Sequence, residues 1–373
     1  MWELTTEQQE IRALARSFAD EQIGPNAPRW DREHHFPREL YSRLGELGLM
    51  GICVPSEYDG AGADYFSYVL VLEELSRADA SVGVTLAVHL GAGMLPILNW
   101  ATEQQKQRYV PPLARGEELC AFALTEPEAG SDAAALRTRA VDGRITGGKQ
   151  WITNGSYAST ITVFARESDG TGISAFLVRG DADGLAVTRE EEKLGLNASS
   201  TADIVLDDTP GERLGPPGAG MRIALSTLDG GRIGIAAQAV GIAQAALELA
   251  TEYAKERRAF GGPIGRFQAI QEKLAEMQTE IEAARALVWR AARLKDAGRP
   301  HTVEGAQAKL FASRVARHWT GEAVQILGGY GYTKEFPAER YYRDAKVTEI
   351  YEGTSEIQRL VIARALLGEV ARG

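Results

Sequence analysis

A mainly helical chain with a β insert at its centre is the fold class that this sequence predicts. Three observations carry that expectation: helical spacing at the start, short β-rich runs in the middle, and one long apolar seam near the end. In residues 1–116, Ile11, Leu14 and Phe18 recur at helical spacing behind a capping-box pair, Thr6 with Gln9. Leu40, Leu44 and Leu47 repeat that spacing, and Val69 to Leu75 begins another apolar helix. Across 117–217 the texture turns to β. The runs Thr160-Ile161-Thr162-Val163-Phe164-Ala165 and Ile173-Ser174-Ala175-Phe176-Leu177-Val178 are separated by Gly and Asp turns, and Asp142-Gly143 reads as a hairpin. After Gly215-Pro216-Pro217-Gly218 helices return, over 218–373. Phe267, Ile270, Leu274, Met277, Ile281, Ala284, Val288 and Ala291 alternate by three and four, the seam of an antiparallel bundle. Such a seam is core and carries no chemistry of its own.

Composition narrows the function classes. At 373 residues the chain is too long for one ordinary core. With 44% hydrophobic and 25% charged residues it reads as a soluble globular protein. A net charge of −10 disfavours a nucleic-acid binder, although local arginines can still hold an anionic ligand. No run of 18 apolar residues and no basic-then-apolar leader is found, so neither a membrane span nor a signal peptide is expected. Cys53 and Cys120 are isolated, and the pair His34-His35 has no carboxylate or Cys cluster beside it, so no metal site is expected. The expectation is a cytoplasmic protein with reduced thiols.

Five segments can carry chemistry. Tyr351-Glu352-Gly353-Thr354-Ser355-Glu356-Ile357-Gln358-Arg359 sets one carboxylate between a ring and a glycine, where Thr354 or Ser355 can cap the following helix. A carboxylate on such a corner can remove a proton from a ligand, though a loop Glu is more often simply solvated. Leu124-Thr125-Glu126-Pro127-Glu128-Ala129-Gly130-Ser131-Asp132 can offer backbone N–H groups to an anion or a polar ring edge, or be an acidic surface loop. In Gln150-Trp151-Ile152-Thr153-Asn154-Gly155, strand alternation puts Trp151 and Thr153 on one face, which suits a flat conjugated ring and equally suits sheet packing. Arg257-Arg258-Ala259-Phe260-Gly261, with Gln268 beyond it, closes a helix with cations that need no ligand but can fork a pyrophosphate. Gln325-Ile326-Leu327-Gly328-Gly329-Tyr330-Gly331-Tyr332 is a helix end open to close approach, with a plain helix stop as the alternative. No Gly-x-Gly-x-x-Gly follows a strand near the start, which disfavours a Rossmann fold.

Together and in this order, these segments resemble the acyl-CoA dehydrogenase family over essentially the whole length to Leu367. Thr227-Leu228-Asp229-Gly230-Gly231-Arg232-Ile233-Gly234-Ile235-Ala236 and Glu349 to Arg359 make the short-chain, butyryl-CoA type the nearest match. The resemblance implies an N-terminal helical domain, a middle β-barrel-like domain and a C-terminal four-helix bundle. It implies FAD as cofactor, held by Phe122, Leu124, Thr125, Ser131, Trp151, Ile152, Thr153, Thr354 and Glu356. Arg257, Phe260, Gln268, Gln325, Gly328 and Gly329 would serve the FAD of a neighbouring subunit. Thr125 would face the pyrimidine part of the flavin, Trp151 a ring face, and Thr153 the N5 nitrogen. Substrate would meet Ser131 along the pantetheine arm, together with Asp229, Arg232, Gln238, Thr348, Tyr351 and Gly353.

The implied reaction is α,β-dehydrogenation of an acyl-CoA, with Glu352 as the α-proton base and electrons passed to an electron-transfer flavoprotein. Gly231, where one branch of the family carries its base, cannot act as one. Gln238 and Thr348 imply a shallow C4–C6 pocket with a polar floor, and His89 stands near its end unless it is a core histidine. Asn197 replaces a usual Arg and leaves a local ion pair in doubt. The implied assembly is at least a dimer, commonly a dimer of dimers. Alternatives are an acyl-CoA oxidase, a dehydrogenase of a carrier-bound or branched short acyl thioester, and a non-catalytic protein of the same fold.

Overall fold

The computed structural model describes residues 3–368 and 370. Helices α1 (Thr6–Phe18), α2 (Ala27–Glu33), α3 (Arg38–Glu46), α4 (Tyr65–Ala78), α5 (Ala80–Leu86), α6 (Leu95–Trp100) and α7 (Glu103–Ala114) come first, and Ala87–Met94 continues α5 into α6 as a π-helix. Capping starts α1 one residue before the expected pair. Thr5 Oγ1 accepts from the Gln8 N–H at 3.2 Å, and the Gln8 side chain accepts from the Thr5 N–H. Two adjacent threonines offer the same signal. The earlier register wins because it also lets Gln8 Nε2 donate to Asp64 Oδ2 at 2.7 Å, at the head of α4. Phe18, Leu40 and Leu44 are buried, whereas Leu14 and Leu47 lie on the exposed side.

The β segment comprises β1 (Cys120–Ala123), β2 (Arg139–Val141), β3 (Arg144–Thr153), β4 (Thr160–Glu167), β5 (Ile173–Arg179), β6 (Leu185–Glu190), β7 (Thr201–Pro210) and β8 (Glu212–Leu214). They form one sheet in the order β6-β7-β3-β2-β4-β5-β8, with β1 added in parallel to β4. Asp142 and Gly143 both take positive φ and turn β2 into β3, as their hairpin signal requires. Ile145, Ile161, Val163, Phe176, Val178, Ala202, Ile204 and Leu206 come from four strands and meet in one apolar cluster, so the sheet curls around its own small core.

Helices α8 (Gly220–Glu256), α9 (Gln268–Asp296), α10 (Thr302–Leu327), α11 (Ala338–Val347) and α12 (Ser355–Leu367) complete the chain. The apolar seam lies on α9, with Met277, Ile281, Ala284, Val288 and Ala291 buried and Phe267 just before the helix. α4 packs on α8, so the early and late helices share one continuous core. Two helical stretches, Ala80–Trp100 and Gly220–Glu256, are long and apolar enough to cross a membrane by length and composition, contrary to the expectation that no such stretch exists. Both are mostly buried inside the protein, which accounts for their apolarity. After α8 the chain forms a small hairpin, Arg258–Ala259 with Gly262–Pro263, that was not foreseen. Phe260 and Gly261 turn it with positive φ.

Candidate active site

Glu352 sits in the short link between α11 and α12. Its backbone is left-handed, φ 53°, and Gly353 continues at φ 89°, so the chain reverses within two residues. A non-glycine residue in that region costs on the order of 1–3 kcal/mol and persists only where neighbours over-determine it. The neighbours are visible. Lys309 Nζ donates to the Thr348 carbonyl at 2.9 Å and the Gly353 carbonyl at 2.7 Å. Gln358 Nε2 donates to the same Gly353 carbonyl at 2.7 Å and to that of Glu352 at 3.3 Å. Thr354, not Ser355, is the N-cap of α12, accepting from the Ile357 N–H at 3.3 Å. Among the described residues the Glu352 main-chain N–H has no acceptor, so a donor is left at this corner for a ligand.

The carboxylate points back across α8. A Cβ built on Gly231 would collide with Glu352 Oε2, so glycine at 231 is what makes room for the carboxylate. Glu352 Oε2 is enclosed and, among the described residues, has no hydrogen-bond partner. Burial pushes its pKa up to about 7, against the pull of the Lys309 and Arg232 cations. Arg232, buried on α8, pairs with Asp229 at 2.6 Å, and Asp229 also accepts from Thr302 Oγ1 at 2.7 Å. The Arg232 Nε has no partner among the described residues.

Beside this corner runs a chain of satisfied polar groups. Tyr351 OH donates to Gln238 Oε1, while Gln238 Nε2 donates to the Ala80 carbonyl at 2.8 Å. Thr348 Oγ1 donates to the Ala345 carbonyl at 2.7 Å. Gln238 and Thr348 are both fully buried and their groups are satisfied within the protein. The polar floor expected here thus has its groups already paired within the protein rather than waiting for a partner. His89 is a core residue. Its Nε2 lies 3.1 Å from the Leu113 carbonyl, its Nδ1 accepts from the Cys120 N–H, and burial pushes its pKa down to about 4.

The residues expected to face a flavin lie on the sheet and the loop before it. The Gln150 N–H donates to the Thr125 carbonyl at 2.9 Å, which ties the 124–131 loop beside the strand that carries Trp151 and Thr153. Lys149, buried, donates to the Leu124 carbonyl at 3.0 Å and pairs with Glu126 at 2.8 Å. Glu126 in turn accepts from the Arg137 and Thr138 N–H groups. Trp151 departs from the simple alternation assumed for it: a bulge lies between Lys149 and Ile152, and Trp151 takes φ 58°. Its N–H donates to Asp203 Oδ1 at 3.2 Å. The indole is 57% exposed and Ile152 beside it is buried. A large ring left open on a strand tied to the Thr125 loop fits a flat heteroaromatic cofactor. Phe122 is half-buried against Phe164, Leu124 is buried, and Ser131 is exposed on the loop.

A separate cleft of about 570 Å³ is lined by Tyr253, Arg257, Arg258, Tyr330 and Phe336, among others, and by neither Glu352 nor the 124–131 loop. The Arg257 guanidinium lies 5.5 Å from the Tyr330 ring centre, which joins the end of α8 to the Gln325–Gly329 corner. Phe260 is 89% exposed, and Gln268, Gln325, Gly328, Gly329 and Glu356 are exposed as well.

Models of the acyl-CoA dehydrogenase N-terminal, middle and C-terminal domains match residues 5–117, 121–209 and 218–367. The chain belongs to the acyl-CoA dehydrogenase family. It is 51% identical to the bovine mitochondrial short-chain specific acyl-CoA dehydrogenase, over 98% of this chain and 91% of that protein. The butyryl-CoA dehydrogenase of Megasphaera elsdenii superposes with a TM-score of 0.96 at 44% identity, covering 98% of this chain and 100% of the other. A chain solved in work on the electron transferring flavoprotein of Acidaminococcus fermentans gives 0.97 at 47% identity, covering 99% and 100%. The family is FAD-dependent, and this chain is an acyl-CoA dehydrogenase.

Sequence reasoning missed three side chains that hold the Glu352 corner and the 124–131 loop: Lys309, Gln358 and Lys149. Lys309 had a signal. It occupies the buried, alanine-lined face of α10 with Gly305, Ala312 and Ala316, a place where a lysine has no reason to be unless something holds its charge. Asn197 resolves differently from the ion pair left in doubt. Asp31 is paired by Arg343 at 2.7 Å, and Asn197 Nδ2 donates to the same carboxylate at 2.9 Å.

Proposed function

We propose that the chain removes an α-proton and a β-hydride from a short acyl-CoA, giving the trans-2-enoyl-CoA, with Glu352 as the base. The observation that carries this reading is one carboxylate oxygen, sealed from water and unpartnered, on a backbone corner held by Lys309 and Gln358. As the Cα–H bond breaks, its proton goes to the Glu352 carboxylate. The electron pair becomes the Cα–Cβ double bond as the Cβ–H pair departs. When bound, FAD supplies the two-electron acceptor for that hydride. The free Glu352 N–H is placed to donate to the thioester oxygen where negative charge develops. Phe122, Leu124, Thr125, Ser131, Trp151, Ile152, Thr153, Thr354 and Glu356 would hold FAD, and Arg257, Phe260, Gln268, Gln325, Gly328 and Gly329 that of a second copy. Asp229, Arg232, Tyr351 and Gly353 would flank the ligand.

Gln238 and Thr348, packed and satisfied, would close the pocket at C4–C6. Electrons would pass to an electron-transfer flavoprotein, a partner suggested by the solved neighbour described above. Leu360, Leu366 and Leu367 are exposed on α12 and need cover, in keeping with a homotetramer built as a dimer of dimers. The working units would be 1–116, 117–217 and 218–373, and the setting cytoplasmic β-oxidation.

Anaerobic mixing of the FAD-loaded protein with C4 to C16 acyl-CoA substrates tests the reading. Bleaching of the flavin fastest at C4–C6 supports it; no bleaching by any acyl-CoA contradicts it. Two expectations follow from the geometry. Because burial raises the Glu352 pKa to about 7, the base is protonated below that pH, so kcat/KM should fall as pH drops through 7 and level off above it. Gln238→Ala removes the side chain that Tyr351 OH and the Ala80 carbonyl share. It should shift the C8-to-C4 ratio of kcat/KM upward by about 10-fold and cost about 1–3 kcal/mol of stability. An unchanged ratio would detach Gln238 from chain-length choice.

A further inference from the structure

A fully buried lysine is rare, because an ammonium taken out of water costs several kcal/mol unless it is well paired. Lys309 is fully buried on α10, and among the described residues it has no carboxylate within ion-pair distance. What it has instead is two main-chain carbonyls, those of Thr348 and Gly353. They bracket Glu352: Thr348 closes α11, and Gly353 follows the glutamate directly. Gln358, from α12, meets the same Gly353 carbonyl. Three helices are thus tied at a turn where the backbone of Glu352 and Gly353 is left-handed.

We infer that Lys309 is a positioning residue for the base, fixing the Glu352–Gly353 turn through its two carbonyl bonds and favouring the ionised carboxylate through its charge. This rests on the reading of Glu352 as the base. The groups facing Glu352 are Lys309 from α10, Arg232 from α8, the tyrosines Tyr65 and Tyr68 from α4, and Tyr351 of its own loop. Lys309 is also faced by Glu349, Glu356 and Arg232. Burial pushes Lys309 down to about 8 and Glu352 up to about 7, and each charge favours the charged form of the other. Removing the ammonium takes away a cation that favours carboxylate over carboxyl. The Glu352 pKa then rises, and the acid limb of the rate profile moves to higher pH.

The test uses the FAD-loaded enzyme with butyryl-CoA and three variants. Lys309→Met deletes charge and donor at similar volume, Lys309→Gln keeps a donor without charge, and Lys309→Arg keeps the charge. Lys309→Met should remain yellow, lose about 10- to 100-fold in kcat at pH 7 with KM changed far less, and show its acid limb displaced upward. Lys309→Arg should return the limb toward the wild-type position. A folded, yellow Lys309→Met with wild-type kcat and an unmoved limb overturns the inference. Should Lys309→Met fail to fold, the limb of Lys309→Gln decides by the same criterion. If neither folds, Lys309 serves folding alone and the inference is lost. Failure of the underlying reading is separate: turnover in Glu352→Gln would remove Glu352 as the base whatever the lysine variants do.

Discussion

Glu352→Gln should lower turnover of butyryl-CoA by about 10²–10⁴-fold, the usual worth of a placed general base, while the protein stays folded and yellow. The amide has the shape of the carboxylate but cannot take a proton. The fold should tolerate it well, since the wild-type carboxylate is held in a place that penalises its charge. Its Oε2 has no partner among the described residues, and burial outweighs the two nearby cations. The bonds that shape the corner belong to the main chain and remain: Lys309 and Gln358 hold the carbonyls of Thr348, Glu352 and Gly353. Loss of activity with unchanged flavin content and thermal midpoint, measured side by side, is the expected pattern. A variant that loses its flavin would instead mean that Glu352 is needed to build the site.

Gly231→Ala should separate activity from stability in the opposite way. Gly231 lies inside α8, where alanine is ordinarily better than glycine by roughly 1 kcal/mol. The added methyl would overlap Glu352 Oε2 and come within 2.8 Å of its Cδ and 3.2 Å of its Oε1. What it meets is the end of a side chain, so relief comes from moving the carboxylate rather than the backbone. The thermal midpoint should hold or rise, while kcat falls on the order of 10²-fold, as a misplacement of about 1 Å does. Wild-type kcat in Gly231→Ala would show that the position of the carboxylate is not critical.

The parts legible in the sequence were those written in contiguous residues. Helical spacing gave the seam of α9 and the buried faces of α3 and α4, and Asp142-Gly143 gave its hairpin. The corner at Glu352 was legible because ring, carboxylate, glycine and cap stand side by side. Less legible was anything set by register or by distant pairing. Thr5 and Thr6 carry the same capping chemistry, and only Asp64, 56 residues from Gln8, decides between them. Trp151 and Thr153 read as one face of a regular strand, but the bulge against β7 turns the indole with a left-handed backbone. Gln238 read as a polar pocket floor, whereas Tyr351 and the Ala80 carbonyl already satisfy it from other elements. Lys309 was visible only as a charge on an apolar helix face, and its purpose needed the fold that brings α11 and α12 to it.

The most direct measurement on the central claim is anaerobic rapid mixing of the FAD-loaded protein with butyryl-CoA carrying deuterium at C2, compared with the unlabelled substrate. With Glu352 removing the C2 proton as the flavin is reduced, bleaching should slow several-fold with the label, and Glu352→Gln should scarcely bleach with either substrate. Bleaching of Glu352→Gln at a rate near that of the wild type would contradict the assignment of the base.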